Sequence, residues 1–231
     1  MPRRRRPARL ARLGYLGLAA VDSALAGSDQ PAARRARFAT KPLLMPLLVA
    51  ANRAGRPTMR PGLRGGTTIA QAFSWGGDLA LLGTGERAFL SGVGSFFVAH
   101  AAYIGAFGTV RDPGATVSDP GTRAAALAWV TTAPVMVLAA GRKDMSMRVP
   151  IAAYATILAT MFATSTTLDT ELPRRARRKV VLGTSLFLLS DSLLGIQEFL
   201  LREHSPRLEA AVMASYAAGQ WFIADGVGDA T

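Results

Sequence analysis

Two carboxylates stand where the sequence is otherwise oily: Asp78 in "IAQAFSWGGDLALL" and Asp191 in "SLFLLSDSLLGIQEFL". A charged group inside a bilayer costs about 2.5–3.5 kcal/mol on insertion scales, so such residues face a bundle interior or a wet cavity rather than lipid. A pair of carboxyl groups can cleave an ether-type bond through an oxocarbenium-like state. One group gives a proton; the other orients water or steadies the positive charge. The simpler role for each aspartate is to bond a Ser or Tyr on a neighbouring helix and lock the packing.

Helical spacing gathers further polar residues into stripes. Gln71, Ser74 and Asp78 fall on one helix face, as do Phe96, His100 and Tyr103, and Met213, Tyr216 and Gln220. Ser190 precedes Asp191, while Lys41 and Tyr154 sit toward the ends of two other apolar segments. If the stripes converge, they enclose one pocket holding two carboxylates, an ammonium, an imidazole, phenols and amides. Each also has a plainer use: Lys41 can snorkel to the interface, His100 can be a satisfied core histidine, and the phenols and Gln220 can be interhelical hydrogen bonders. Trp75, Trp129 and Trp221 read as packing or interface anchors, and His204, in "REHSPR", as solvated.

Eight segments can carry these stripes: about 10–26, 38–51, 67–82, 88–109, 124–140, 149–165, 180–201 and 210–227. Most have roughly the 17–25 residues a helix needs to cross a bilayer; the second is short unless it begins before Lys41. Half of the 231 residues are hydrophobic and the mean hydropathy is +0.23 despite 27 Lys and Arg, because apolar and charged residues are segregated. The spacing therefore predicts an all-α membrane bundle of eight transmembrane helices. The basic and apolar start could serve as a signal peptide, but it reads better as an uncleaved first span.

The net charge of +12 follows from topology. With both termini cytoplasmic, seventeen of the 27 Lys and Arg fall on the inner side, as the positive-inside rule requires. A nucleic-acid arm at Arg3 to Arg6 has no interleaved aromatic residues to support it. The absence of cysteine excludes disulfides and thiolate metal sites, and two histidines argue against a multi-histidine metal centre. GxSxG, HExxH and GxxxxGK[ST] motifs are missing, and "GTGE" at Gly83–Glu86 reads as a tight turn. No metal or cofactor is called for.

Asp78 and Asp191 are 113 positions apart, and the same offset carries Tyr103 onto Tyr216 and Lys41 onto Tyr154. It also lays the first four apolar segments on the last four. The expectation is one integral membrane domain over 1–231 built from two parallel four-helix repeats, about 10–109 and 123–227, with the site between them.

The stretches "TKPLLMPLL" (Thr40–Leu48), "GGDLALL" (Gly76–Leu82), "FLSGVGSFFVAHAAYIGAF" (Phe89–Phe107), "SLFLLSDSLLGI" (Ser185–Ile196) and "SYAAGQ" (Ser215–Gln220) resemble the YhhN family of integral membrane proteins, which includes the lysoplasmalogenases. The resemblance implies a hydrolase of the vinyl-ether bond of lysoplasmalogens, single-chain phospholipids, yielding a fatty aldehyde and a glycerophospho-alcohol. It makes Asp78 and Asp191 the catalytic pair and Lys41, His100, Tyr103, Tyr154, Tyr216 and Gln220 the accompanying polar positions. The Ala/Gly/Arg-heavy composition suggests a bacterial cell membrane. A transporter with proton-binding aspartates is the rival expectation. It would place Gly or Pro breaks at matching points of both halves, whereas Pro42 and Pro46 correspond to Ala155 and Ala159.

Overall fold

The computed structural model describes residues 5–55 and 60–230; Arg3, Arg4 and Arg56 lie outside them. It is all-helical: α1 (Arg5–Ala26), α2 (Pro31–Gly55), α3 (Pro61–Ala80), α4 (Glu86–Gly108), α5 (Pro120–Lys143), a 3₁₀ turn (Met145–Met147), α6 (Arg148–Thr166), α7 (Arg174–Phe199) and α8 (Pro206–Asp229). Each expected segment overlaps one helix, with 67–82 and 180–201 running two residues and 88–109 one residue past the helix end, and α2 does begin ten residues before Lys41.

Four of the eight are long and apolar enough to cross a membrane by length and composition: α4, α5, α6 with its preceding 3₁₀ turn, and α7. The other four carry the polar load. α1 begins with Arg residues, α2 holds four Arg and Lys41, α3 has five Gly and carries Arg64, Gln71 and Asp78, and α8 contains Glu209, Asp225 and Asp229.

Successive helices pack as hairpins: α1 on α2, α3 on α4, α5 on α6 and α7 on α8. The hairpin tips form one end of the bundle. At the other end the α4–α5 and α6–α7 connections meet, joined by Asp112 N–H to Thr167 O (2.9 Å) and Asp169 N–H to Val110 O (2.9 Å). The core between them holds Tyr15, Leu44, Tyr103, Phe107, Met161, Phe187 and Ile223, all nearly inaccessible.

The closest helix pair is α7–α8. A Cβ on Gly183 would lie 2.6 Å from Ile223 N, and one on Gly219 2.9 Å from Gly183 O, so the two backbones touch only because both residues lack side chains. In α2, Pro46 has no N–H for the carbonyl of Pro42, four residues back. The Trp75 indole takes that carbonyl instead, at 2.8 Å, and pins α3 to α2. Trp75, expected as a packing or interface anchor, is held here by this bond.

α3 stops at Ala80, and the chain turns through Leu81–Gly85, where Gly85 has φ 86, a conformation that suits glycine. The two aspartates therefore differ in helical position. Asp78 lies in the last turn of α3, whereas Asp191 stands eight residues, about 12 Å, before the end of α7. The glycine turn ends α3 soon after Asp78, whereas α7 continues past Asp191.

Candidate active site

Asp78 is 1% exposed, on the face of α3 that it shares with the buried Gln71 and Ser74. Its carboxylate has two partners from other helices. Tyr216 of α8 donates its phenolic hydrogen to Oδ2 at 2.7 Å, and the Lys41 ammonium of α2 lies 3.8 Å from Oδ1. Lys41 is itself 4% exposed, so it has not snorkelled to the interface; an ammonium that deep is compensated by the carboxylate beside it.

Asp191 has different company. Tyr154 of α6 donates to Oδ2 at 2.5 Å, and His100 Nε2 of α4 is 3.8 Å from the same oxygen, beyond hydrogen-bond reach. The imidazole is fully buried, edge-on to Tyr154 and Phe187, and neither ring nitrogen makes a hydrogen bond of ordinary geometry.

Both carboxylates line one cavity of about 890 Å³, together with Lys41, Ser190, Phe96 and Tyr216. Ser190 turns its hydroxyl to Val212 O (2.9 Å), leaving lone pairs free. The cavity reaches the hairpin tips, where Arg34, Arg37, the Leu82–Glu86 turn, Lys143, Asp144 and His204 border it. At that mouth the Ser146 backbone N–H, 2.8 Å from Asp144 Oδ1, holds the Asp144 carboxyl below its ordinary value. His204 was expected in solvent, and it does lie exposed at this rim.

A second space, narrow and apolar, of about 80 Å³, runs between α4, α5, α6 and α7 past Val93, Trp129, Met136, Leu158 and Leu188. Asp191, Phe96, Leu81, Phe89, Leu194 and Phe199 border both spaces, so Asp191 stands where the polar cavity and the oily slot meet. Tyr154 walls the slot only.

Not every expected pocket residue reaches a void. Tyr103 donates to Gln220 Oε1 at 2.6 Å, and Gln220 Nε2 donates to Ser74 Oγ at 2.9 Å; this fully buried chain ties α4, α8 and α3 together and lines neither space. For this pair the plainer reading, interhelical hydrogen bonding, describes the geometry. His100 also lies behind the cavity wall rather than on it.

Asp22 of α1 went unnoticed in the sequence. It is wholly buried, accepts from Thr40 at 2.5 Å and lies 3.7 Å from Arg37 Nε. Arg37 also reaches Glu209 of α8 at 3.1 Å, and Gln197 of α7 donates to Glu209 at 2.8 Å. This network braces the mouth beside Lys41. An acid in the apolar run "LGLAAVDSALAG" is the same signal that marks Asp78, but Asp22 has no acidic partner at the 113-residue offset. Among the described residues, no group of three His, Cys, Asp or Glu is gathered closely enough to hold a metal ion.

Apolar helices around a polar interior define a multi-pass helical membrane protein. Its family follows from sequence comparison: the YhhN family model matches residues 36–227, most of the chain, and the protein belongs to that family. No curated protein and no solved structure matches it.

Proposed function

We propose that the protein is a lysoplasmalogenase-like ether hydrolase, with Asp191 as the acid and Asp78 as the carboxylate that serves water. The observation that carries this reading is the position of Asp191 at the junction of the polar cavity and the apolar slot, with Asp78 on the same cavity wall. In this reading a single-chain phospholipid sets the first few carbons of its alkenyl chain at the slot and its head group toward the mouth, with the vinyl-ether bond at the junction.

The assignment of roles follows from the partners. Asp78 has an ammonium 3.8 Å away, which compensates a carboxylate. Asp191 has a hydrogen-bonding phenol and an imidazole 3.8 Å away and, among the described residues, no Lys or Arg within ion-pair distance, so the acid form suits its surroundings better than it suits those of Asp78.

Asp191 gives its proton to the alkenyl carbon one removed from oxygen, and the C=C electron pair forms the new C–H bond. Oxygen lone-pair donation makes the oxocarbenium ion, which the Asp78 carboxylate steadies across the cavity. Water adds to that cation and loses a proton to Asp78, giving a hemiacetal. The hemiacetal C–O bond then breaks: the hydroxyl hydrogen passes to the leaving oxygen, releasing aldehyde and glycerophospho-alcohol. Proton exchange through the cavity returns the proton from Asp78 to Asp191. The net change is the addition of one water.

In the same reading all eight helices cross the cell membrane with both termini cytoplasmic, and the cavity opens at the outer face. Lys41–Asp78 and Tyr154–Asp191 are matched pairs of two repeats, since both members are separated by 113 positions.

The test is incubation of the purified protein with single-chain phospholipids carrying vinyl-ether, alkyl-ether or ester linkages, followed by mass spectrometry. Aldehyde from the vinyl ether alone is the expected result. Intact lipid throughout, or lipid moved across vesicles without cleavage, overturns the proposal.

A further inference from the structure

At the end of the bundle opposite the cavity mouth, α7 opens on "RRARRK", Arg174–Lys179. Two grooves flank its first turns. One, of about 450 Å³, runs between α6 and α7 and is lined by Thr166, Arg174, Arg177, Arg178, Val181 and Leu182 among others; the other, of about 400 Å³, is lined by Arg174, Arg175, Arg178, Lys179 and Leu182. No carboxylate lines either groove.

The basic residues here divide into two sets. Lys179 is committed to Asp225 and Asp229 of α8, and Arg175 lies 4.0 Å from Asp229. Arg174, Arg177 and Arg178 have no carboxylate within ion-pair distance among the described residues, and the half-buried Arg177 has an Nε–H without a partner. Charge asymmetry across a membrane accounts for the number of these arginines, but not for their convergence on two hollows that Leu182 also lines, with Val181 in the larger. Leu182 lies eight residues, about 12 Å, into the helix from Arg174, so guanidinium groups stand above aliphatic surface. Guanidinium forks match phosphate oxygens, and basic pockets between membrane helices suit anionic head groups.

We propose that these grooves hold the phosphate of an anionic membrane phospholipid, with Arg174 and Arg178 shared between the two hollows and the acyl chains running down past Val181 and Leu182. The site is independent of the cavity and of the reaction proposed there.

The test uses the full-length protein purified in neutral detergent, with dioleoyl phosphatidylglycerol, dioleoyl phosphatidylcholine or inorganic phosphate added at equal concentration. The expected result is a rise in Tm with phosphatidylglycerol only, and phosphatidylglycerol adducts retained in native mass spectrometry. Arg174 and Arg178 are exposed, so R174Q/R178Q should fold, and it loses at least five-fold of that lipid's apparent affinity. R60Q/R64Q removes the same charge from exposed positions of the α2–α3 connection and α3, and keeps the response. If R174Q/R178Q does not fold, R178Q alone replaces it, with a loss of at least two-fold. Equal responses to the two lipids, a response to phosphate alone, or equal loss in both double variants overturns the proposal.

Discussion

Tyr154 donates its phenolic hydrogen to Asp191 at 2.5 Å, and the pair stands 113 positions after Lys41 and Asp78, which lie 3.8 Å apart. Positions at one offset in the sequence thus hold different chemistry: an ammonium beside one carboxylate, a phenol in the matching place beside the other. That difference is what separates their proposed roles.

If Asp191 protonates carbon, the reaction run in D₂O places one deuterium on the aldehyde carbon next to the carbonyl, and H₂¹⁸O supplies the aldehyde oxygen. Mass spectrometry of the product reads both. Aldehyde without deuterium at that carbon would show that the bond is broken in another way.

Tyr154→Phe removes one hydrogen bond to a charged or reacting group and leaves the ring in place. Such a bond contributes about 1.5–3 kcal/mol, so a fall of roughly ten- to a hundred-fold in kcat is expected, with KM little changed. A loss seen only in KM would place Tyr154 in substrate binding instead.

Lys41→Met leaves Asp78 buried without its cation. Breaking a buried pair costs about 3–5 kcal/mol, whereas removing both partners costs far less. Thermal unfolding should therefore rank Lys41→Met below the Lys41→Met/Asp78→Asn double variant, despite the extra substitution. The opposite order would mean that the ammonium does not compensate Asp78.

Much of this was legible in the sequence, for physical reasons. Apolar runs with turn residues between them marked all eight helices, and an acid in an oily run marked Asp78 and Asp191, because burying a charge costs enough to demand a reason. What joins distant segments was harder to read. Arg37 bridging Asp22 and Glu209 depends on how α1, α2 and α8 meet, and the slot behind Asp191 on the gap among four helices; neither leaves a local pattern. Tyr103 and Gln220 fell on the expected stripes, yet a stripe names a face, not whether the face meets a void or another helix.

Gly183→Leu should prevent α7 and α8 from packing, because even a Cβ there lies 2.6 Å from the Ile223 backbone. Gly94→Ala, in open space, should change Tm by no more than a degree or two. Monodispersity in detergent and thermal unfolding check both. A Gly183→Leu protein as stable as the parent would contradict the packing described.

The chain has no cysteine, so single introduced cysteines report topology directly. Thr84→Cys, at the cavity mouth, should react with a membrane-impermeant maleimide on intact cells, and Val117→Cys, in the opposite α4–α5 connection, only after lysis. The reverse pattern would turn the cavity toward the cytoplasm.

The most direct test of the paired carboxylates is aldehyde release from a vinyl-ether lysophospholipid by Asp78→Asn and Asp191→Asn proteins whose Tm lies near the parent's. The proposed chemistry predicts a fall of about 10²–10⁴-fold for Asp191→Asn, and a loss of at least ten-fold for Asp78→Asn. Either variant working at the parent rate would contradict it.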